Sequence, residues 1–181
     1  MSRFEEKQLE RQEIFDGAVL HVVKDKILLP DGNTSFREFC LHKGAVAVIP
    51  ITENNEAIMV RQFRYAHHRE FLEIPAGKFD FIGEDPLEAA KRELAEETGA
   101  SAAKYVYLGV LDTTPALIDE KIHMYMAQDL TYGESHPDDD EFLSTEKIPL
   151  TKLLDMVMNG EIRDGKTQIA VLKAAKILGI S

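Results

Sequence analysis

The segment "GEDPLEAAKRELAEETGA", residues 83–100, constrains this chain more than any other because it specifies one helix at both ends. Asp85 suits the N-cap, Pro86 fits the first helical position, and Glu88 completes a capping-box-like pattern. Gly99 supplies the stop. At about 100° per residue, Leu87, Ala90 and Leu94 form one apolar stripe, with Glu93 and Glu97 about 40° apart on its flank. Arg92 can reach Glu96 as an i,i+4 partner. Like charges one turn apart repel, and acids near a helix C-terminus oppose its dipole. Beside an apolar stripe that repulsion grows unless divalent cations compensate it, and hard carboxylate oxygens favour magnesium or manganese.

Around this helix the chain reads mostly as strands. The first 43 residues hold "AVLHVVKDKILL", a turn at "PDGN" where Gly32 can take positive φ, and "TSFREFCLH". "GAVAVIPI" and "EAIMVRQFR" flank the turn signal "TENNE", which predicts a second antiparallel pair. "YVYLGVL", "KIHMYMAQDL" and "DEFLSTEKI" have similar strand character. "TKLLDMVMNG", stopped by Gly160, and "KTQIAVLKAAKILG", ending at Gly179, read as helices.

With 181 residues, 44% of them hydrophobic, the chain can bury a core without disulfides. Its lone cysteine, Cys40, lies in an alternating run and is expected to be a small buried filler. The net charge of −11 argues against nucleic acid or an anionic membrane as the main partner, since phosphate contacts need clustered Lys and Arg. No run of about 18 apolar residues occurs, and "MSRFEEKQLERQEIF" is too charged for a signal peptide, so a soluble cytoplasmic protein is expected. A phosphorylated small molecule fits only where arginines or bound cations reverse the local field.

The longer segment "GKFDFIGEDPLEAAKRELAEETGA" resembles the Nudix box, whose usual pattern is G-x5-E-x7-R-E-U-x-E-E-x-G-U with U a bulky aliphatic residue. From Glu84 to Gly99 the spacing matches, and Ala100 is small for the last position. Six residues, not five, separate Gly77 from Glu84; the surplus falls around Phe81 and Ile82, where a loop can bulge at little entropic cost. Outside the box, "LHKGAVAVIPI", "VRQFRYAHHREFLEIPAGK", "TTPALIDEKIHMYMA", "DDDEF" and "GEIRDGKTQIAV" resemble bacterial ADP-ribose pyrophosphatases in the same order.

The resemblance implies an α+β Nudix fold, an α/β/α sandwich with a mixed sheet over 44–181, preceded by a small antiparallel sheet in 1–43. It implies magnesium, or manganese in its place, held by Glu93, Glu97, the carbonyl of Ala76 and, directly or through water, Glu96. Glu84 and Arg92 would organise the box, Arg92 by pairing with a carboxylate. The acidic loop would supply a catalytic carboxylate, Glu141 matching best and Asp139 second. Arg37, Glu38 and Arg64, with Pro115 and Glu120 of the proline loop, are the substrate-binding candidates. That loop reads Thr-Thr-Pro-Ala where the family usually has Ser-Pro-Gly, so it lacks the backbone freedom of glycine. The implied reaction cuts ADP-ribose into AMP and ribose 5-phosphate; the alternatives are another nucleoside diphosphate sugar, a dinucleotide, or a ligand sensor with weak hydrolysis. The implied partner is a second copy, with the N-terminal segment exchanged across a homodimer. His67 and His68, adjacent and divergent, are poor metal ligands.

Overall fold

The computed structural model describes residues 3–136 and 142–181. The chain forms two compact units: Met1–Lys43 with Asp112–Lys121, and Gly44–Leu111 with Ile122–Ser181. The segment 112–121, which the sequence leaves in the larger domain, thus belongs with the smaller unit.

In the smaller unit β1 (Lys7–Asp16), β2 (His21–Leu28) and β3 (Thr34–Leu41) form an antiparallel sheet in the order β1-β2-β3. On β2, alternation buries Val23, Asp25 and Ile27. A buried carboxylate needs a partner, and Asp25 accepts two 2.7 Å hydrogen bonds from Arg11, which hold its pKa below the ordinary value. The β2–β3 turn puts Gly32 at φ +89. Segment 112–121 lies against the end of β3: the N–H of Cys40 donates to Leu117 O at 2.8 Å, and that of Asp119 to Cys40 O at 3.2 Å. Cys40 is half-buried, so it is a less enclosed filler than expected.

The larger unit contains β4 (Ala45–Pro50), β5 (Glu56–Arg64), β6 (Arg69–Glu73), β7 (Ala76–Lys78), α1 (Pro86–Thr98), β8 (Ala100–Asp112), β9 (Lys121–Tyr132), β10 (Leu143–Pro149), α2 (Leu150–Met158) and α3 (Gly165–Leu178). One sheet runs β7-β4-β9-β8 and is mixed, with β4 parallel to β9 and antiparallel to β7; the other runs β10-β5-β6 and is antiparallel. The hairpin expected between residues 45–50 and 56–64 is not formed. Its turn exists, with Thr52 N–H donating to Glu56 O at 2.9 Å, but pairing stops at one Ile51–Ala57 bridge. Every residue of β4 is buried, as suits a central strand covered on both faces, and its partners are β7 and β9.

The alternation along β4 divides the core in two. Val46 and Val48 pack with Ala89, Ala90 and Leu94 of α1, whereas Ala45, Ala47 and Ile49 join the cluster of Leu153 in α2 and Val171 and Ala174 in α3. Helices on both faces of a mixed sheet make this an α/β/α sandwich of the α+β class. Among the described residues no helix is long and apolar enough to cross a membrane.

Candidate active site

The site is built where α1 meets the turn between β6 and β7. Asp85 caps α1 as its sequence predicts, with Oδ1 accepting from the N–H groups of Leu87 at 2.9 Å and Glu88 at 3.0 Å. Glu88 accepts instead from Lys91, at 2.7 Å. Gly99 ends the helix at φ +68, and a Cβ there would stand 2.5 Å from Gly133 O, so both conformation and space require glycine.

Capped this way, α1 buries Glu93 and Glu97 along with Leu94. Glu97 accepts from the N–H of Ala76 at 3.1 Å. Glu93 lies against Gly77, where an added Cβ would sit 2.0–2.1 Å from its carboxylate. Both acids therefore face the Ala76–Gly77 backbone, one turn apart.

Arg92 ties the box together. Its Nη1 donates to Glu93 at 2.8 Å and Glu96 at 3.0 Å, and its Nη2 to Lys78 O at 3.2 Å. Its Nε lies 3.4 Å from Asp80 and 3.6 Å from Glu84. Burial works against the guanidinium charge, but Glu93, Asp80 and Glu96 outweigh it and raise the pKa. Glu84 closes the preceding loop: it accepts from Asp80 N–H at 2.8 Å, and its own N–H donates to Phe81 O at 3.3 Å. Phe81 and Ile82, at the surplus position, are exposed.

Arg64, at the end of β5, donates to Glu73 of β6 through Nε at 2.8 Å and Nη2 at 2.7 Å. Burial raises the pKa of Glu73, but hydrogen bonds from Arg64 and Lys166 and their charges prevail and hold it at about 2. Arg64 also feels the charge of Glu97. Nothing local in the sequence announces Glu73 and Lys166; the only signals are an acid three residues before Ala76 and a lysine in "RDGKT".

The larger unit thus brings together Arg64, Ala76, Arg92, Glu93, Glu96 and Glu97. Arg37, Glu38, Pro115 and Glu120 lie in the smaller unit. There Arg37 pairs with Glu6, Glu38 with Lys24 at 2.8 Å, and Glu120 accepts from Thr113 at 2.9 Å. Pro115 lies in a turn in which the N–H of Leu117 donates to Thr114 O at 2.9 Å. Asp139 and Glu141 lie outside the described residues. His67 and His68 sit on an exposed turn, His67 against the Phe71 ring at 5.2 Å.

Among the described residues no three His, Cys, Asp or Glu side chains converge closely enough to hold an ion. The donor chemistry nevertheless fits a hard divalent cation: two buried carboxylates a turn apart, against a backbone stripped of its Cβ at Gly77.

The NUDIX domain model matches residues 41–167. A protein named methanol dehydrogenase activator, from Bacillus methanolicus, is 42% identical over 93% of this chain and 91% of its own. One named ADP-ribose pyrophosphatase, from Bacillus subtilis (strain 168), is 39% identical over 94% and 93%. A crystal structure described as an ADP compounds hydrolase shares the fold, with a TM-score of 0.86, covering 99% of this chain and 97% of that one at 23% identity. The chain belongs to the Nudix family and is a Nudix pyrophosphatase.

Proposed function

We propose that the chain hydrolyses the diphosphate of ADP-ribose to AMP and ribose 5-phosphate, with magnesium, or manganese in its place, as cofactor. The observation that carries this is the placement of buried Glu93 and Glu97 against the Ala76–Gly77 backbone of β7. The 39% identity to a protein named ADP-ribose pyrophosphatase supports the substrate.

In this scheme Glu93, Glu97 and the carbonyl of Ala76 would hold the cation, with Glu96 as a further ligand. When bound, the ion would neutralise the diphosphate and acidify a water for attack on phosphorus. Arg92 holds the helix and its preceding loop in register. Arg64 holds the diphosphate with the guanidinium edge that Glu73 leaves uncovered. Glu141, or Asp139, takes the proton of the attacking water as the P–O bond between the two phosphoryl groups breaks. Residues 1–43 form the dimerisation segment and place Arg37 and Glu38 in the partner's pocket, with Pro115 and Glu120 lining the substrate side. The protein acts in the cytoplasm.

The test is a panel of ADP-ribose, other nucleoside diphosphate sugars and dinucleotides, with magnesium and with manganese, read by released nucleoside monophosphate. ADP-ribose among the poorest substrates would sink the assignment. A preferred alternative substrate is the second reading, since the box addresses the diphosphate and not the base. The 42% identity to a methanol dehydrogenase activator adds an alcohol dehydrogenase to the panel; a change in its rate would favour partner activation. Sedimentation as a monomer at micromolar concentration would remove the exchanged dimer.

A further inference from the structure

Glu73 has a side chain only 5% exposed, yet it faces two cations. Arg64 grips it through Nε and Nη2, and Lys166 donates to the same oxygen that Nη2 uses. Lys166 is itself 11% exposed and lies 3.1 Å from Asp164. Asp164 caps α3 by accepting from Thr167 N–H at 2.9 Å, and Thr167 Oγ1 accepts from Ile74 N–H at 3.0 Å. The lysine is thereby fixed between α3 and the end of β6.

A buried carboxylate with a single counter-ion forms a tight neutral pair, and its cation has little field left for another anion. A second cation on Glu73 shares that charge. The Arg64 guanidinium, 42% exposed, then keeps its Nη1 edge for a second anion while Glu73 aims it. We infer that Lys166 is a positioning residue for Arg64: by carrying part of the counter-charge of Glu73, it leaves the aimed guanidinium available to a diphosphate. This rests on the assignment of Arg64 to the diphosphate.

The test pairs steady-state kinetics on ADP-ribose with calorimetric binding of inorganic pyrophosphate. Lys166→Met should raise KM and the pyrophosphate Kd about 10-fold with kcat within about 3-fold, and Lys166→Arg should restore both to within about 3-fold. In a Glu73→Gln background, where the carboxylate charge that Arg64 and Lys166 share is gone, Lys166→Met should change either value by less than about 2-fold. That double variant is charge-balanced and keeps the comparison available if Lys166→Met alone does not fold. A folded Lys166→Met with wild-type KM and Kd overturns the inference. So does an equal loss in the Glu73→Gln background, which would mean that Lys166 contacts the ligand itself, and so does a wild type that binds no pyrophosphate. A wild type that binds pyrophosphate, more weakly in Lys166→Met, but leaves ADP-ribose intact would sink the substrate assignment and support this role of Lys166.

Discussion

Replacing Gly77 with alanine separates the placement of a carboxylate from the stability of the fold. The new methyl would stand 2.0 Å from Cδ and 2.1 Å from each oxygen of Glu93, where real contacts stay above 3.0 Å. The carboxylate must therefore retreat by about 1 Å. Gly77 has no positive φ, so alanine adds no backbone strain, and the obstacle is the far end of a flexible side chain. Glu93 can swing aside, weakening its 2.8 Å bond from Arg92. Overpacking and that weakened bond together cost about 1–3 kcal/mol, or a fall in Tm of about 3–10 °C for a chain of this size. Turnover should fall far more, by about 100-fold, because a displacement of about 1 Å at a reacting centre has that effect. Gly83→Ala is the control: at φ +89 with nothing within 4 Å of the added Cβ, it should cost about 1 kcal/mol of backbone strain and leave turnover near wild type. The assay is ADP-ribose turnover with magnesium beside thermal unfolding for both variants. If Gly77→Ala keeps more than about a third of wild-type turnover, the Glu93 carboxylate does not act where the structure puts it.

Three further outcomes follow from single contacts. Glu73, depressed from 4.5 to about 2, contributes about 3 kcal/mol of stability that is present above pH 4.5 and lost as pH falls towards 2. The Tm gap between wild type and Glu73→Gln should therefore shrink over that window, and a constant gap would refute the depressed pKa. Asp85→Ala removes two N-cap hydrogen bonds and should cost about 1 kcal/mol in chemical denaturation, with Asp85→Asn close to neutral; equal losses would discount the cap. Glu141→Gln should reduce turnover by about 100-fold or more with unchanged Tm, and near-normal turnover would transfer the base role to Asp139.

What could be read from the chain was whatever is decided locally. Asp85, Pro86 and Gly99 act within a turn of themselves, so α1 stands where their order puts it. The signal "TENNE" also forms a turn, with Asn55 N–H donating to Thr52 O at 3.0 Å. The hairpin inferred from it fails because strand partners are a nonlocal decision: β4, apolar on both faces, gains more as a central strand beside β9 than as half of a hairpin. An unbroken apolar run was the available cue, and it outranks a turn when the two conflict. Glu73 and Lys166, 93 residues apart, show the limit of local reading, because neither residue has a neighbour in sequence that announces the pair.

The surplus residue near Phe81 follows the same division. Glu84 receives the N–H of Asp80 and returns its own to Phe81 O, so the loop closes on itself before α1 begins, with Phe81 and Ile82 exposed. Arg92 then spans the loop, reaching Asp80 and Lys78 O on the near side and Glu93 and Glu96 on the helix. The distance in sequence from Gly77 to Glu84 is therefore not what sets the site. What sets it is the closeness of Gly77 to Glu93 and of Ala76 to Glu97, which β4, through its pairing with β7, imposes from the core. An extra loop residue leaves those two contacts in place, whereas one methyl group on Gly77 does not.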